Sequence, residues 1–483
     1  MRLLAALPLL LVLCTLVRAQ DNPDPARRVR DLEERVKKLE EELKKMQDEL
    51  AELKKAVAPA AAGPRKAGQL LWKLDMTSDL KGSGSLADLD GDGKLELAFG
   101  SYFNDQNVYC VDAATGKVRW RHASDGGPLD ASTTCIDLDG DGKLESLSAD
   151  SASGLLYCLA HDGKLKWTLK LPSGTDSPCA VADLDGDGKL EIVVGTMWGG
   201  RGGGKNGRVC CYSAADQKLI WQREYPGCVQ SEPVLLDLNG DKILDVVTTS
   251  WRGDHCIHAF EGKTGEPLWT FQTDGGERDM GMYHGVAVNK AADTLFAVTC
   301  QGDVYAINLK GEQVWHQKFK DYLFGATLVA DLDADGTEEL VFGGGTIYAV
   351  STTDGALKWK QAMNKSLDRG AVLCDADGDG DLDVLFNDGH LVRALDARTG
   401  APSFEYNARF KGSRWESLSS APIVGDFDGD GLLEYFGVIG LGTSELDGKN
   451  NYGMAFAITL GGKGAAWTTF RANLRRTGNP AHR

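Results

Sequence analysis

A short acidic pattern that returns seven times constrains this chain more than any other feature. It first occurs as ADLDGDGKLELAFG at 87–100, which places Asp88, Asp90, Asp92 and Glu96 within nine positions. The first aspartates of the seven copies stand at 88, 137, 183, 237, 331, 375 and 426, so the separations are 49, 46, 54, 94, 44 and 51 residues. The gap of 94 is twice 47, which predicts one more unit inside it. HGVAVNKAADTLFAV at 284–298 fills that place; it keeps the flanking strand patterns and loses the carboxylates. The chain thus carries eight units, seven of them acidic. A period of this length means copies of one supersecondary unit packed side by side.

Each unit has a second half. NVYCVDAATGKVRW (107–120) is matched by LYCLAHDGKLKW (156–167), IHAFEGKTGEPLW (257–269) and IYAVSTTDGALKW (347–359), among others. Two alternating strands joined by a Thr-Gly or Asp-Gly turn read as a hairpin. The unit is therefore strand a, acidic loop, strand b, connection, strand c, glycine turn, strand d. Glycine makes up 59 of the 483 residues, about 12% against a usual ~7%, as many tight turns require. Four-stranded units of this length predict an all-β, eight-bladed β-propeller of antiparallel blades over 69–479. QLLWKLDM (69–76) and AAWTTFRANLRRTGN (465–479) both look like d strands, which makes nine such segments for eight blades. One should complete the last blade and shut the ring, removing exposed edges, and the other should pack outside.

On these motifs the chain resembles the FG-GAP/VCBS repeats, the family that includes the integrin α-chain propeller. The c–d hairpins with their closing tryptophan are similar to those of pyrroloquinoline-quinone-type propellers. Together the two resemblances span about residues 68–478. They imply a fold closely and a function only broadly, because propellers host many functions.

The acidic loops are candidate Ca²⁺ sites. In an extended loop, positions 1, 3 and 5 project to one side. Glycine at position 6 allows the turn that aims the carbonyl of position 7 inward, and the acid at position 9 can close the shell with two oxygens. An all-oxygen set suits a hard cation. The ligand sets are Asp88, Asp90, Asp92, Lys94 and Glu96; Asp137, Asp139, Asp141, Lys143 and Glu145; and Asp183, Asp185, Asp187, Lys189 and Glu191. They continue with Asp237, Asn239, Asp241, Ile243 and Asp245; Asp331, Asp333, Asp335, Thr337 and Glu339; Asp375, Asp377, Asp379, Asp381 and Asp383; and Asp426, Asp428, Asp430, Leu432 and Glu434. The acid at position 9, with a strand already begun, separates the motif from an EF-hand. The fourth loop should be the weakest, since Asn239 replaces an acid and Lys242 stands where the others have glycine. Glu338 occupies a strand position that is apolar elsewhere.

Residues 1–19 read as a secretory signal, with Arg2, an apolar run from Leu3 to Val17 and a small-residue cleavage site at Val17-Arg18-Ala19. No other segment is expected to span a membrane. The formal charge of −17 becomes −19 once Arg2 and Arg18 are removed, and seven Ca²⁺ would bring it to −5. Such an acidic chain is not expected to bind nucleic acid. Between 26 and 57, apolar residues alternate at spacings of three and four: Val29, Leu32, Val36, Leu39, Leu43, Met46, Leu50, Leu53 and Val57. That is a coiled-coil seam. The opposite-sign pairs Arg28–Glu33, Arg35–Glu40 and Glu49–Lys54 favour a parallel homodimer, with a trimer as the alternative. Residues 58–68 read as a linker.

No catalytic constellation is visible: there is no GxSxG, and no histidine pair has metal-ligand spacing. Cys110, Cys158 and Cys211 share a repeat position that other blades fill with alanine, so packing is their expected role. The recurring strand-d tryptophans read the same way. Topology puts acidic loops and c–d turns on one face, and the longer, more varied b–c and d–a loops on the other. There stand Trp198, Arg201, Trp251, Arg278, Tyr283, His284, Arg369, Arg414 and Trp415, the candidate ligand-binding residues. Arg252-Gly253-Asp254 spells RGD, an integrin-ligand tripeptide, in the same region. The expected function is an exported, calcium-bearing module for a protein or glycan ligand, acting in adhesion on a coiled-coil oligomer. The alternative is a propeller enzyme, either a polysaccharide lyase or a quinoprotein dehydrogenase.

Overall fold

The computed structural model describes residues 35–39, 42, 44–46, 66–198, 206–274, 280–412, 416–442 and 451–467. The chain divides into two units, 1–63 and 64–483. In the first, all described residues are helical. Val36, Leu39 and Met46 are exposed on that helix at 46%, 39% and 59%, so the predicted seam faces outward in the single chain. The predicted signal at 1–19 lies outside the described residues. Among the described residues, no helix is long and apolar enough to cross a membrane.

The second unit is a ring of eight antiparallel sheets; the first seven are built from consecutive strands a to d, and the eighth takes its outer strand from the N-terminal end of the unit. Blade one runs Ser85–Ala87, Glu96–Gly100, Asn107–Asp112 and Val118–Ala123. Strand b is buried along its whole length, while strand d alternates between half-buried and exposed. The inner strands carry neighbouring blades on both sides and are buried on both faces; the outer strand has one wet face.

One register pair organises every blade. Cys110 lies opposite Trp120, Cys158 opposite Trp167, Cys211 opposite Trp221 and Ala259 opposite Trp269. Ala306–Trp315, Ala349–Trp359, Ala394–Phe404 and Ala457–Trp72 continue the series. The indole takes the space that the small residue leaves. It then reaches the next blade: Trp120 Nε1 donates to the His161 carbonyl at 2.7 Å and Trp221 Nε1 to that of Gly262 at 2.7 Å. The glycine of the next c–d turn lies under the ring. A Cβ on Gly265, whose φ is +69°, would sit 2.5 Å from Trp221. Glycine here serves both the left-handed turn and the close approach. The ten described cysteines are buried and none forms a disulfide, Cys210 and Cys211 included, as the packing role requires.

The N-terminal strand Leu70–Met76 completes blade eight by pairing with Tyr452–Thr459. Trp72 Nε1 donates to the Ala113 carbonyl of blade one at 2.8 Å, so first and last blades are stitched like any other neighbours. The second d-like segment does not pack outside, as expected from sequence. Ala465–Trp467 adds to the inner strand Ala371–Cys374 of blade seven. The outer place of blade eight is already filled, so the chain crosses instead at Gly461 and Gly462. Gly461 N donates to the Ala376 carbonyl at 2.8 Å. A side chain on Gly462 would collide with Asp375. The fifth unit is a true blade, with Ala287–Val288 and Thr294–Val298 as its strands a and b.

Candidate metal loops and the axial face

The seven acidic loops share one scaffold. In the first, Asp88 accepts the amide of Gly91 at 2.8 Å and that of Gly93 at 2.9 Å, while Asp92 accepts that of Lys94 at 2.8 Å. The acid at position 9 always accepts the amide of position 2: Leu89 to Glu96, Leu138 to Glu145, Leu184 to Glu191 and Leu238 to Asp245. Leu332 to Glu339, Ala376 to Asp383 and Phe427 to Glu434 repeat it. The backbone thus engages one of the two oxygens that position 9 was expected to offer.

Positions 1, 3 and 9 converge in the first three loops. Oxygens of Asp88, Asp90 and Glu96, of Asp137, Asp139 and Glu145, and of Asp183, Asp185 and Glu191 lie within 4.8 Å of one another. These are all-oxygen groups, and they fit a hard cation. Burial, with the neighbouring acids adding, pushes the carboxyl of Glu191 up to about 7 and that of Glu434 to about 8. Asp245 and Asp383 are pushed to about 6 by burial first and then by their own loops' acids.

Two backbone strains mark the loops. Lys242 has φ +72°, as its glycine-like position requires, and its amide still reaches Asp237 at 3.0 Å. Ala334, at position 4 of the blade-six loop, has φ +60°, a strain the sequence reading missed. Glu338 does not pack in its strand. Its carboxylate accepts the amide of Lys290 at 3.0 Å, which ties the acid-free loop of blade five to blade six.

On the opposite face the d–a connections meet at the ring axis. Asp176 and Tyr283 come from connections 107 residues apart, yet the Tyr283 hydroxyl donates to Asp176 at 3.3 Å. Gln230 Nε2 donates to the same carboxylate at 2.6 Å. Tyr283 stacks on Phe324 at 4.5 Å, and the Arg369 guanidinium lies 5.2 Å above its ring. His284 sets one ring nitrogen 2.8 Å from Glu232 and the other 3.2 Å from the Asp368 carbonyl. Burial, and then the charge of Asp176, holds the Asp130 carboxyl well above the usual range; burial also raises Asp176 against the pull of Arg369. Gln230 Oε1 is a buried acceptor with no partner among the described residues, and Trp251 Nε1 and Arg252 Nε are buried donors in the same condition; Asp130 and Asp176 share a hydrogen bond through the proton that Asp130 holds.

Of the candidate ligand-binding residues, Trp251, Tyr283, His284 and Arg369 do gather on this face. They plug the axis rather than stand out from it, since Tyr283 and His284 are buried. Trp198 is exposed at 37% and has the Arg252 guanidinium 5.8 Å over its ring. Arg201, Arg278, Arg414 and Trp415 lie outside the described residues. The RGD tripeptide is tied down: Arg252 lies against Trp251 at 4.5 Å. Asp254 is bonded to Ser250 and His258 at 2.6 and 2.8 Å. Sequence reasoning missed Asp130, Asp176 and Gln230. The available signal was position. Asp130, Asp176, Gln230, Tyr283 and Phe324 each stand four residues before the start of a strand a.

A family model described as an FG-GAP-like repeat matches residues 137–194, which bears out that resemblance over the second and third acidic loops. One described as outer membrane protein assembly factor BamB matches 192–322 and 253–430. No curated protein matches the chain. Among solved structures, Sqt1 of Saccharomyces cerevisiae is similar with a TM-score of 0.59 at 14% identity, over 82% of this chain and 99% of that one. A europium-containing methanol dehydrogenase gives 0.56 at 12%, over 81% and 93%. The quinohemoprotein alcohol dehydrogenase of Comamonas testosteroni gives 0.54 at 12%, over 82% and 77%. At these identities the likeness is one of fold.

Proposed function

We propose that the chain is an exported, calcium-stabilised propeller that binds a polyhydroxyl ligand, a glycan, at the axial mouth opposite its acidic loops. One observation carries the reading: a buried acceptor on Gln230 and buried donors on Trp251 and Arg252 occur on one face together with the buried Asp130–Asp176 carboxyl pair. A hydroxyl both donates and accepts, so a sugar answers both kinds of group. Trp198 adds an aromatic surface at the rim. The heptad-patterned helix would present several such mouths at once, giving avidity without new contacts. A glycan array on the calcium-loaded oligomer tests the proposal. Binding should be lost in Asp176→Asn and Gln230→Leu and weakened in Trp198→Ala. Binding unchanged in all three would discard this face, and protein probes would be next.

A second reading rests on the carboxyl pair. Two carboxyls whose environments separate their proton affinities are what acid–base cleavage of a sugar polymer uses. Asp130 would hold the proton and Asp176, beside Arg369 and Tyr283, would remain ionised. Appearance of new reducing or unsaturated ends from a bound glycan would favour it, and a cofactor absorbance band would favour the quinoprotein form instead.

A further inference from the structure

Blades one and four build the turn before strand c on one scaffold and then diverge. In blade one the Ser101 hydroxyl donates to Asp105 at 3.0 Å, Asn107 opens the strand, and the Tyr109 hydroxyl donates to Asp105 at 2.8 Å. In blade four the Ser250 hydroxyl donates to Asp254 at 2.6 Å in the same way. Strand c, Cys256–Phe260, then sets Cys256 and His258 where blade one has Asn107 and Tyr109. Residues two apart on a strand share a face, so the thiol and the imidazole lie on the same side.

A carboxylate oxygen of Asp254, the Cys256 sulfur and a ring nitrogen of His258 lie within 4.8 Å of one another. Each group is oriented from behind. Asp254 Oδ1 accepts from Ser250 and from the Cys256 amide at 3.1 Å, while Oδ2 faces His258 Nε2 at 2.8 Å. The other ring nitrogen, Nδ1, lies 3.3 Å from Thr270 Oγ1. Gln272 Nε2 donates to the carbonyls of Asp254 and Thr273 at 2.9 and 3.1 Å, which leaves its Oε1 3.3 Å from the Cys256 sulfur. Outer contacts of this kind fix the ligands of a transition metal. The donor set mixes carboxylate, thiol, imidazole and amide oxygen. It suits a borderline divalent ion such as Zn²⁺, unlike the all-oxygen loops on the opposite face.

We infer that Asp254, Cys256 and His258, with the Gln272 amide oxygen as the fourth ligand, form a zinc site in blade four. As the sulfur–zinc bond forms, the thiol proton leaves to solvent. The His258 Nε2–H bond to Asp254 gives way to an Nε2–zinc bond, and the ring proton moves to Nδ1, beside Thr270. Gln272 is exposed on the outer strand, which gives the ion a way in. Once bound, the ion ties the connection that carries Trp251 and Arg252 to strand c.

The test uses Co²⁺ as the probe, added to the full chain after chelator treatment and reloading with excess Ca²⁺. A thiolate-to-cobalt charge-transfer band should appear in the near ultraviolet, saturate at one ion per chain and be bleached by Zn²⁺. Cys256→Ser should abolish the band and Cys300→Ser should leave it intact. Thr270→Val, which removes only the contact behind His258, should weaken Co²⁺ binding about tenfold. X-ray absorption at the zinc edge needs no variant: wild type carrying one Zn²⁺ should show one sulfur at about 2.3 Å. No charge-transfer band in the wild type, a band that survives Cys256→Ser, or a zinc shell of oxygens alone overturns the inference. None of these outcomes touches the calcium reading, which the chelator response of the melting temperature decides.

Discussion

At the scale of single residues, the tryptophan–glycine contact and the Asp130 carboxyl make opposite predictions. Gly265→Ala combines a φ of +69° with a Cβ 2.5 Å from the Trp221 ring. Left-handed strain of about 1–2 kcal/mol and overpacking of about 1–3 kcal/mol should both appear, as a lower urea midpoint at unchanged slope. Asp130 runs the other way. Its proton affinity is raised on folding, so the folded chain holds a proton that the unfolded chain releases. That contribution is complete below the ordinary carboxylate range and is lost as pH rises through the folded value. Asp130→Asn should therefore raise the melting temperature at neutral pH, flatten its decline with pH, and weaken glycan binding. A group that costs stability and stays in the axial mouth is what a binding site looks like. A variant less stable than wild type at pH 7.5 would argue against this.

At the scale of elements, loops and strands divide the work. Lys242→Gly and Ala334→Gly relieve positive-φ strain at φ +72° and +60°. Each should stabilise by about 1 kcal/mol, measured by chemical denaturation with calcium present. The closing strand is a sharper case. Trp72 fills the space beside Ala457 and bonds across to blade one. Trp72→Ala should cost about 3–5 kcal/mol, with amide-exchange protection lost first along Tyr452–Thr459. Protection lost uniformly around the ring would mean that closure is not a separable event.

At the scale of the whole molecule, the prediction concerns ions and copies. An ion bound only by the folded state stabilises it by mass action, so chelation should lower the melting temperature sharply, and a flat response would remove calcium from the account. The heptads predict that the full chain sediments as a dimer or trimer at micromolar concentration, and that a chain cut at 64 sediments as a monomer.

The blade count, the strand order, the degenerate fifth unit and the shared scaffold of the acidic loops were legible before any coordinates, because a repeat read against itself exposes its own period. The small-residue position was legible too. Its reason, the facing tryptophan, was not, since cross-strand register depends on the bulge between them. Which terminal strand closes the ring was also out of reach: both look like strand d, and only occupancy of the outer place of blade eight sends Ala465–Trp467 to blade seven. The axial cluster lay hidden for the same reason. Asp130, Asp176, Gln230 and Tyr283 are far apart in sequence and share only their place four residues before a strand a, and only closure of the ring brings them to one axis. Local periodicity and turn chemistry are written residue by residue. Meetings between distant side chains belong to the closed ring, where geometry alone sets who faces whom.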